Sequence, residues 1–266
     1  MLDTILVVGC GNMGGAMLAG WLAGGIAPAR LTVVDPALAE APAGVTLLRE
    51  LPQGARFDAV LIGIKPQMLD ALGPGIAPFA SGGTIVLSIL AGVELDTLAA
   101  RFPDADGWVR IMPNLAAAIG KSPIALAARG LDTDGRAAIT TLMTPLGTPE
   151  WLAAEGQFDV VTALAGSGPA FVYRYIDALA AAATAQGLDA GQAQRLALAT
   201  VEGASLLASA SPHAPGELAR RVASPGGTTQ AGLDVLDAGG ALARLTEATI
   251  KAAADRSAEM ARAARG

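Results

Sequence analysis

Thr4-Ile-Leu-Val-Val-Gly-Cys-Gly-Asn-Met-Gly14 is the stretch that sets the architecture. Its first half is a short run of apolar, largely β-branched residues, as a strand buried on both faces requires. Glycines at 9, 11 and 14 then break the run, and Met13–Leu22 follows with helix-forming composition. A glycine directly after a strand allows a tight turn, a second leaves the backbone uncovered, and a third lets the helix lie close on the strand. The segment therefore reads as strand, turn and helix. Outward from it the alternation continues. Leu31–Val34, Ala59–Ile64, Thr84–Ile89, Trp108–Ile111 and Pro123–Ala127 have strand character, while Gln67–Ile76 and Leu95–Arg101 have helix character. Short apolar strands alternating with helices predict a parallel, doubly wound sheet covered on both faces.

In that setting Gly9-Cys-Gly-Asn-Met-Gly14 is a G-x-G-x-x-G turn pointing a helix N-terminus at bound phosphates, the dinucleotide-binding arrangement of a Rossmann-type sheet. The expected contacts run through Gly9, Cys10, Gly11, Asn12, Met13 and Gly14. Asp35 ends the next strand, where a carboxylate takes ribose hydroxyls. It also repels a 2′-phosphate. Pro36 and Ala37 bring no compensating charge, and Arg30 sits at the other end of the strand, so NADH is expected ahead of NADPH. Ligands in open parallel sheets bind outside the carboxyl ends of strands. Ile64, Lys65 and Pro66 after one strand, and Leu90, Ala91 and Gly92 after another, are thus expected to line the same crevice.

Beyond about residue 155 the alternation stops. Ala170–Gln186, Ala190–Ala210, Pro215–Val222, Thr228–Ala238 and Gly240–Ala264 all read as helices. The expected organisation is a dinucleotide-binding domain over 1–155 and an all-helical domain over 156–266. Several of these helices are Ala-rich and apolar around most of their circumference, as in Ala178-Leu-Ala-Ala-Ala-Ala-Thr184. Such helices call for burial, and a domain of this size has too little interior for all of them. Self-association through this half, as a homodimer or larger homo-oligomer, is therefore expected. Within it, Ser224-Pro-Gly-Gly-Thr-Thr229 cannot be helical at its start but leads into a helix. By physics alone it is either an anion site of free backbone N–H groups and hydroxyls or an ordinary N-cap.

Composition removes other classes. Of 266 residues, 52% are hydrophobic and 16% charged, which excludes a disordered chain, and the net charge of -6 offers no basic patch for a nucleic-acid backbone. The only cysteine is Cys10 and the only histidine His213, which excludes His-rich metal sites; no metal cluster is expected, and a lone cysteine fits the reducing cytoplasm. No charge lies between Asp3 and Arg30, yet the glycines and Asn12 make that stretch a poor membrane span. Neither membrane nor nucleic acid is expected as a partner.

The loop Ser224–Thr229, followed by Ala231-Gly-Leu233, resembles the signature of pyrroline-5-carboxylate reductases. Lys65-Pro-Gln67, Ser88-Ile-Leu-Ala-Gly92, Arg110-Ile-Met-Pro-Asn114, Thr162-Ala-Leu-Ala-Gly-Ser-Gly-Pro-Ala170 and Pro215-Gly-Glu-Leu218 complete the pattern along the chain. The resemblance implies a helical half that forms a dimer and NAD(P)H-dependent reduction of Δ1-pyrroline-5-carboxylate to proline. It places Asn114 at the cofactor, and the substrate carboxylate on Ser224, Gly226, Gly227 and Thr228. Thr229 falls at the ring nitrogen, as the catalytic hydroxyl. Leu115-Ala116 stands where the family has Thr-Pro. A β-hydroxyacid dehydrogenase would need an acid–base lysine, and the helical half offers only Lys251 without a partnering Gly-rich motif. A non-catalytic dinucleotide-binding protein would have no use for a second anion site.

Overall fold

The computed structural model describes residues 2–265, the side chains of 263–265 excepted. The chain divides into two compact units, one running to Gly166 and resuming at Ala253, the other spanning Ser167–Ala252. In chain order the first unit carries β1 (Ile5–Val8), α1 (Asn12–Ala23), β2 (Leu31–Val34), β3 (Thr46–Leu48), β4 (Ala59–Ile62), α2 (Leu69–Ile76), β5 (Ile85–Ser88), α3 (Leu95–Arg101) and β6 (Gly107–Met112). There follow β7 (Ser122–Arg129), α4 (Thr133–Met143), β8 (Gly147–Trp151) and the short α5 (Phe158–Val161), which widens into a π-turn over Thr162–Gly166.

The strands form one eight-stranded sheet in the order β3-β2-β1-β4-β5-β6-β7-β8. The first six are parallel, as the alternation predicts. β7 departs from the parallel expectation: it runs antiparallel to β6, and β8 pairs parallel with β7. Length explains the reversal. The connection over residues 113–121, which holds a 3-10 turn at Leu115–Ile119 closed by Gly120 at φ 65°, is short of the roughly dozen residues that a parallel crossover needs. Strands β3 and β8 and helix α4 also lie outside the sequence expectation.

Strand residues alternate between two cores. Ile5, Val7, Val33, Leu61 and Leu87 pack with Met17 and Trp21 of α1 and with Ile139 and Leu142 of α4. Leu6, Val8, Val60, Ile62 and Val86 face the other side, against α2, α3 and Phe158. Trp21 is fully buried, and its indole N–H donates to the Leu142 carbonyl at 2.8 Å, tying α1 to α4.

The boundary expected near 155 differs from this division, for a packing reason. Phe158 is only 3% exposed in the second core, and Asn114 Nδ2 donates to the Ala165 carbonyl at 2.9 Å. Residues 155–166 are thereby held on the sheet unit.

The second unit is helical: α6 (Gly168–Ala185), α7 (Ala190–Ala210), α8 (Pro215–Val222), α9 (Thr228–Asp237) and the beginning of α10 (Ala241–Arg265). The far part of α10 belongs to the first unit, where Ser257 Oγ donates to Asp159 Oδ1 at 2.7 Å and Ala261 is buried. α6 and α7 form a hairpin, with Asp189 capping α7 by accepting from the Gln192 N–H at 3.0 Å. Its buried hydrophobic cluster is small, Ala180, Ala193 and Ala197, while Tyr173, Leu207 and Leu245 are 68–73% exposed. No helix of the described residues is long and apolar enough to cross a membrane.

Candidate active site

The turn after β1 is held from several sides. Gly9 has φ 86°, a region open to glycine, and its N–H donates to the Val34 carbonyl at 2.9 Å. A Cβ at Gly9 would stand 2.9 Å from backbone atoms of Gly63 and Ile64, and one at Gly14 would stand 2.9 Å from the Gly9 carbonyl oxygen. At Gly11 nothing lies within 4 Å of the corresponding point. The first and third glycines are thus required by packing, whereas the second faces open space where phosphates can reach the backbone. No side chain caps α1 at Gly11, and the first turn carries no acidic residue, so its N-terminal N–H groups remain available to an anion. This arrangement fits a dinucleotide pyrophosphate.

Asp35 sits at the end of β2 as expected, and its carboxylate is integrated into the loop. Oδ2 accepts from the Cys10 N–H at 2.8 Å, and Oδ1 accepts from the N–H groups of Ala37 and Leu38 at 2.8 and 3.2 Å. Burial works against its ionisation, but these backbone bonds and the Arg49 charge outweigh it and hold the carboxyl below its ordinary value. The Asp35 charge has a converse effect on Cys10. Burial first, and that charge second, push the buried thiol up, so it stays protonated.

Two more strand ends open on this crevice. β4 stops at Ile62, two residues earlier than expected, so Gly63 and Ile64 already belong to the loop, with Gly63 N–H on the Val8 carbonyl at 2.8 Å. Lys65 is exposed ahead of the 3-10 turn that begins at Pro66. After β5, Leu90 N–H donates to Ser88 Oγ at 3.2 Å, Ala91 is exposed and Gly92 turns the chain at φ 74°.

Asn114 follows β6, 7% exposed, with both ends of its amide engaged. Oδ1 accepts from the Ala116 N–H at 2.9 Å, and Nδ2 holds the Ala165 carbonyl. Asn114 thus shapes the loop, and Leu115 beside it is 59% exposed.

Two features escaped the sequence reading. Arg49, just after β3, donates through Nη1 to the Asp35 carbonyl at 3.1 Å and to that of Leu38, and through Nη2 to that of Ala39 at 3.0 Å. The other is Glu155, whose Oε1 accepts from Arg110 Nη1 at 3.1 Å and from the Leu95 N–H at 2.9 Å, while Arg110 lies 4.3 Å over the Phe158 ring. Arg110 was legible as part of a motif, whereas Glu155 and Arg49 have no local sequence signal.

In the second unit, Ser224, Gly226, Gly227, Thr228 and Thr229 form one loop and helix start. The Ser224 carbonyl accepts from Gly227 N–H at 2.9 Å, Gly226 turns at φ 70°, and Gly227 is the N-cap of α9. No side chain caps this helix, Ala231 N–H makes its first intrahelical bond, and Thr228 and Thr229 are exposed. The N–H groups of Thr228, Thr229 and Gln230 point out of the helix start, with hydroxyls beside them.

Comparison with known proteins covers nearly all of the chain. Residues 155–260 match the family model described as pyrroline-5-carboxylate reductase dimerisation. The pyrroline-5-carboxylate reductase of Pseudomonas aeruginosa is 33% identical over 264 residues, covering 97% of this chain and 96% of that protein. The enzyme of that name from Glycine max is 35% identical over 266 residues, with 97% and 96% covered. A solved pyrroline-5-carboxylate reductase structure from Coxiella burnetii superposes with a TM-score of 0.91 at 29% identity, covering 97% of this chain and 98% of that one. The chain therefore belongs to the pyrroline-5-carboxylate reductase family.

Proposed function

We propose that the chain reduces the C=N bond of Δ1-pyrroline-5-carboxylate with NAD(P)H to give L-proline, the last step of proline biosynthesis. The observation that carries this reading is the uncapped start of α9, because it supplies a second anion site in a chain whose first is the Gly9–Gly14 turn. The N–H groups and hydroxyls of Ser224–Thr228 hold the substrate carboxylate. A cyclic imine protonates readily, and the iminium accepts the hydride that bound nicotinamide supplies. The remaining work is orientation of the ring and delivery of a proton to its nitrogen. Thr229 is the catalytic hydroxyl, oriented to the ring nitrogen and passing on a proton from water, since its own pKa is too high for it to act as an acid alone.

The Gly9–Gly14 turn holds the pyrophosphate: Gly9 and Cys10 shape it through their bonds to Val34 and Asp35, Gly14 lets the helix lie close, and the helix start at Gly11, Asn12 and Met13 faces the phosphates. Asp35 takes the ribose and favours NADH. The loops at Ile64–Pro66 and Leu90–Gly92 border the nucleotide, and Asn114 fixes the shape of a third. The exposed apolar side chains of the helical unit support association as a homodimer or larger. A single buried thiol accords with the cytoplasm. Oxidation of NADH or NADPH on addition of Δ1-pyrroline-5-carboxylate, with proline as product, tests the reading; no turnover with either cofactor would leave a non-catalytic dinucleotide binder. Sedimentation as a monomer would overturn the dimer.

A further inference from the structure

We propose that Arg49 is the residue that lets the ribose end of the nucleotide site accept a 2′-phosphate, so that the chain uses NADPH as well as NADH. The proposal rests on the dinucleotide reading of the Gly9–Gly14 turn.

β3 pairs in parallel with β2, Val34 opposite Leu48, and the Asp35 N–H donates to the Leu48 carbonyl at 3.1 Å. The residues just after the two strands, Asp35 and Arg49, are therefore neighbours at the carboxyl end of the sheet. The Arg49 guanidinium is fastened to the turn that Asp35 begins, through the carbonyls of Asp35, Leu38 and Ala39. Through Oδ2, the Asp35 carboxylate in turn holds the Cys10 N–H of the phosphate-binding loop. A ribose hung from Asp35 thus has its 2′-position at this turn. The local charge there is a carboxylate plus a guanidinium, rather than the lone carboxylate that the sequence shows at 35–39.

A guanidinium has five N–H donors in a rigid fork. The carbonyl bonds engage Nη1 and one side of Nη2, which leaves Nε–H and the other Nη2 hydrogen for an anion. Arg49 is exposed, so a ligand can reach them. Residues 36–40, Pro-Ala-Leu-Ala-Glu, contribute no cation, and Glu50 follows Arg49. The Arg49 charge is also one of the influences that hold the Asp35 carboxyl below its ordinary value.

The test uses the full chain and two nicotinamide-free probes that differ at the 2′-position, adenosine 5′-monophosphate and adenosine 2′,5′-bisphosphate, titrated calorimetrically. Two unit charges in contact at a solvated surface imply that Arg49→Gln weakens the bisphosphate roughly tenfold, less at high salt, and leaves the monophosphate unchanged. Arg49→Lys, which keeps the charge but not the fork, retains most of the affinity. With turnover, the NADPH-to-NADH ratio of kcat/KM falls by the same factor in Arg49→Gln. Parallel weakening of both probes would make Arg49 a lock on the turn and overturn the proposal. So would unchanged binding, or a wild-type chain that takes the monophosphate and rejects the bisphosphate. Because neither probe undergoes reduction, a failure of the reductase reading leaves this result standing, and the reverse also holds.

Discussion

Replacing Glu155 by Ala removes a single carboxylate from the sheet unit, and the structure sets the size of the effect. Its Oε1 accepts from Arg110 Nη1 at 3.1 Å and from Leu95 N–H at 2.9 Å, with the two side chains 11% and 26% exposed for Arg110 and Glu155. Breaking a fully buried pair from one side costs about 3–5 kcal/mol, because the remaining charge is left uncompensated. Here Arg110 keeps its place over Phe158, which retains about 1 kcal/mol, and water reaches the partly open Glu155 position. The expected loss is about 2–3 kcal/mol in urea denaturation, or roughly 5–10 °C in the melting of a unit of this size. Arg110→Met in the Glu155→Ala background should recover part of it, because the orphaned charge has gone. A loss under about 0.5 kcal/mol, or additive single mutants, would refute the reasoning. Glu155→Gln, which can still accept from Leu95 N–H, should show the stability loss but keep the nucleotide KM nearer wild type than Glu155→Ala. The reason is that the Leu95 bond anchors the loop carrying Leu90–Gly92.

Thr229→Ala is expected to lower kcat by about a hundredfold while nucleotide affinity stays near normal, the scale of a positioned proton-transfer group; an unchanged kcat in steady-state assays would remove Thr229 from the chemistry. Gly14→Ala puts a Cβ 2.9 Å from the Gly9 carbonyl oxygen, so α1 must shift, with a loss of about 1–3 kcal/mol and a raised nucleotide KM. A crystal structure with α1 unmoved would contradict that. Asp58 accepts from Asp3 N–H, Thr4 N–H and Thr4 Oγ at 2.7–3.0 Å; burial opposes its ionisation, but these bonds prevail and hold it below the ordinary 3.8. A carboxyl depressed in the folded state stabilises above its unfolded pKa, and that stability is lost as pH falls through the folded value. Asp58→Asn should therefore be less stable than wild type at neutral pH, with the gap closing below about pH 4. A gap that stays constant with pH would contradict the assignment.

What the sequence disclosed followed pattern length. β1, β2, α3, α7 and α8 have the expected ends, since each is a clear periodic run with turn residues around it. β3 has three residues and flanks without pattern, and β8 contains Pro149, which argues against a strand away from an edge. In α4 the buried stripe is only Ile139, Leu142 and Met143 among polar residues. The reversal at β7 depends on a loop length that no periodicity encodes. At the site, the Gly9–Gly14 turn was legible because its chemistry is carried by spacing. Arg49 and Glu155 act through neighbours supplied by β2 and β6, so only the folded sheet reveals them. The inward-facing amide of Asn114 likewise became visible only with Ala165 beside it.

The ends of the sheet carry a further consequence. An outermost strand with unpaired backbone groups is a template on which another chain can add itself, the route to fibrils and accidental aggregates. Here one border is the three-residue β3, flanked by charged Arg49 and Glu50, and the other is β8, interrupted by Pro149 opposite Ile124. Neither offers a long run for a newcomer to zip onto. A chain with so much exposed apolar surface on its helices thus confines its stickiness to them, because the strand borders add no second place for copies to join.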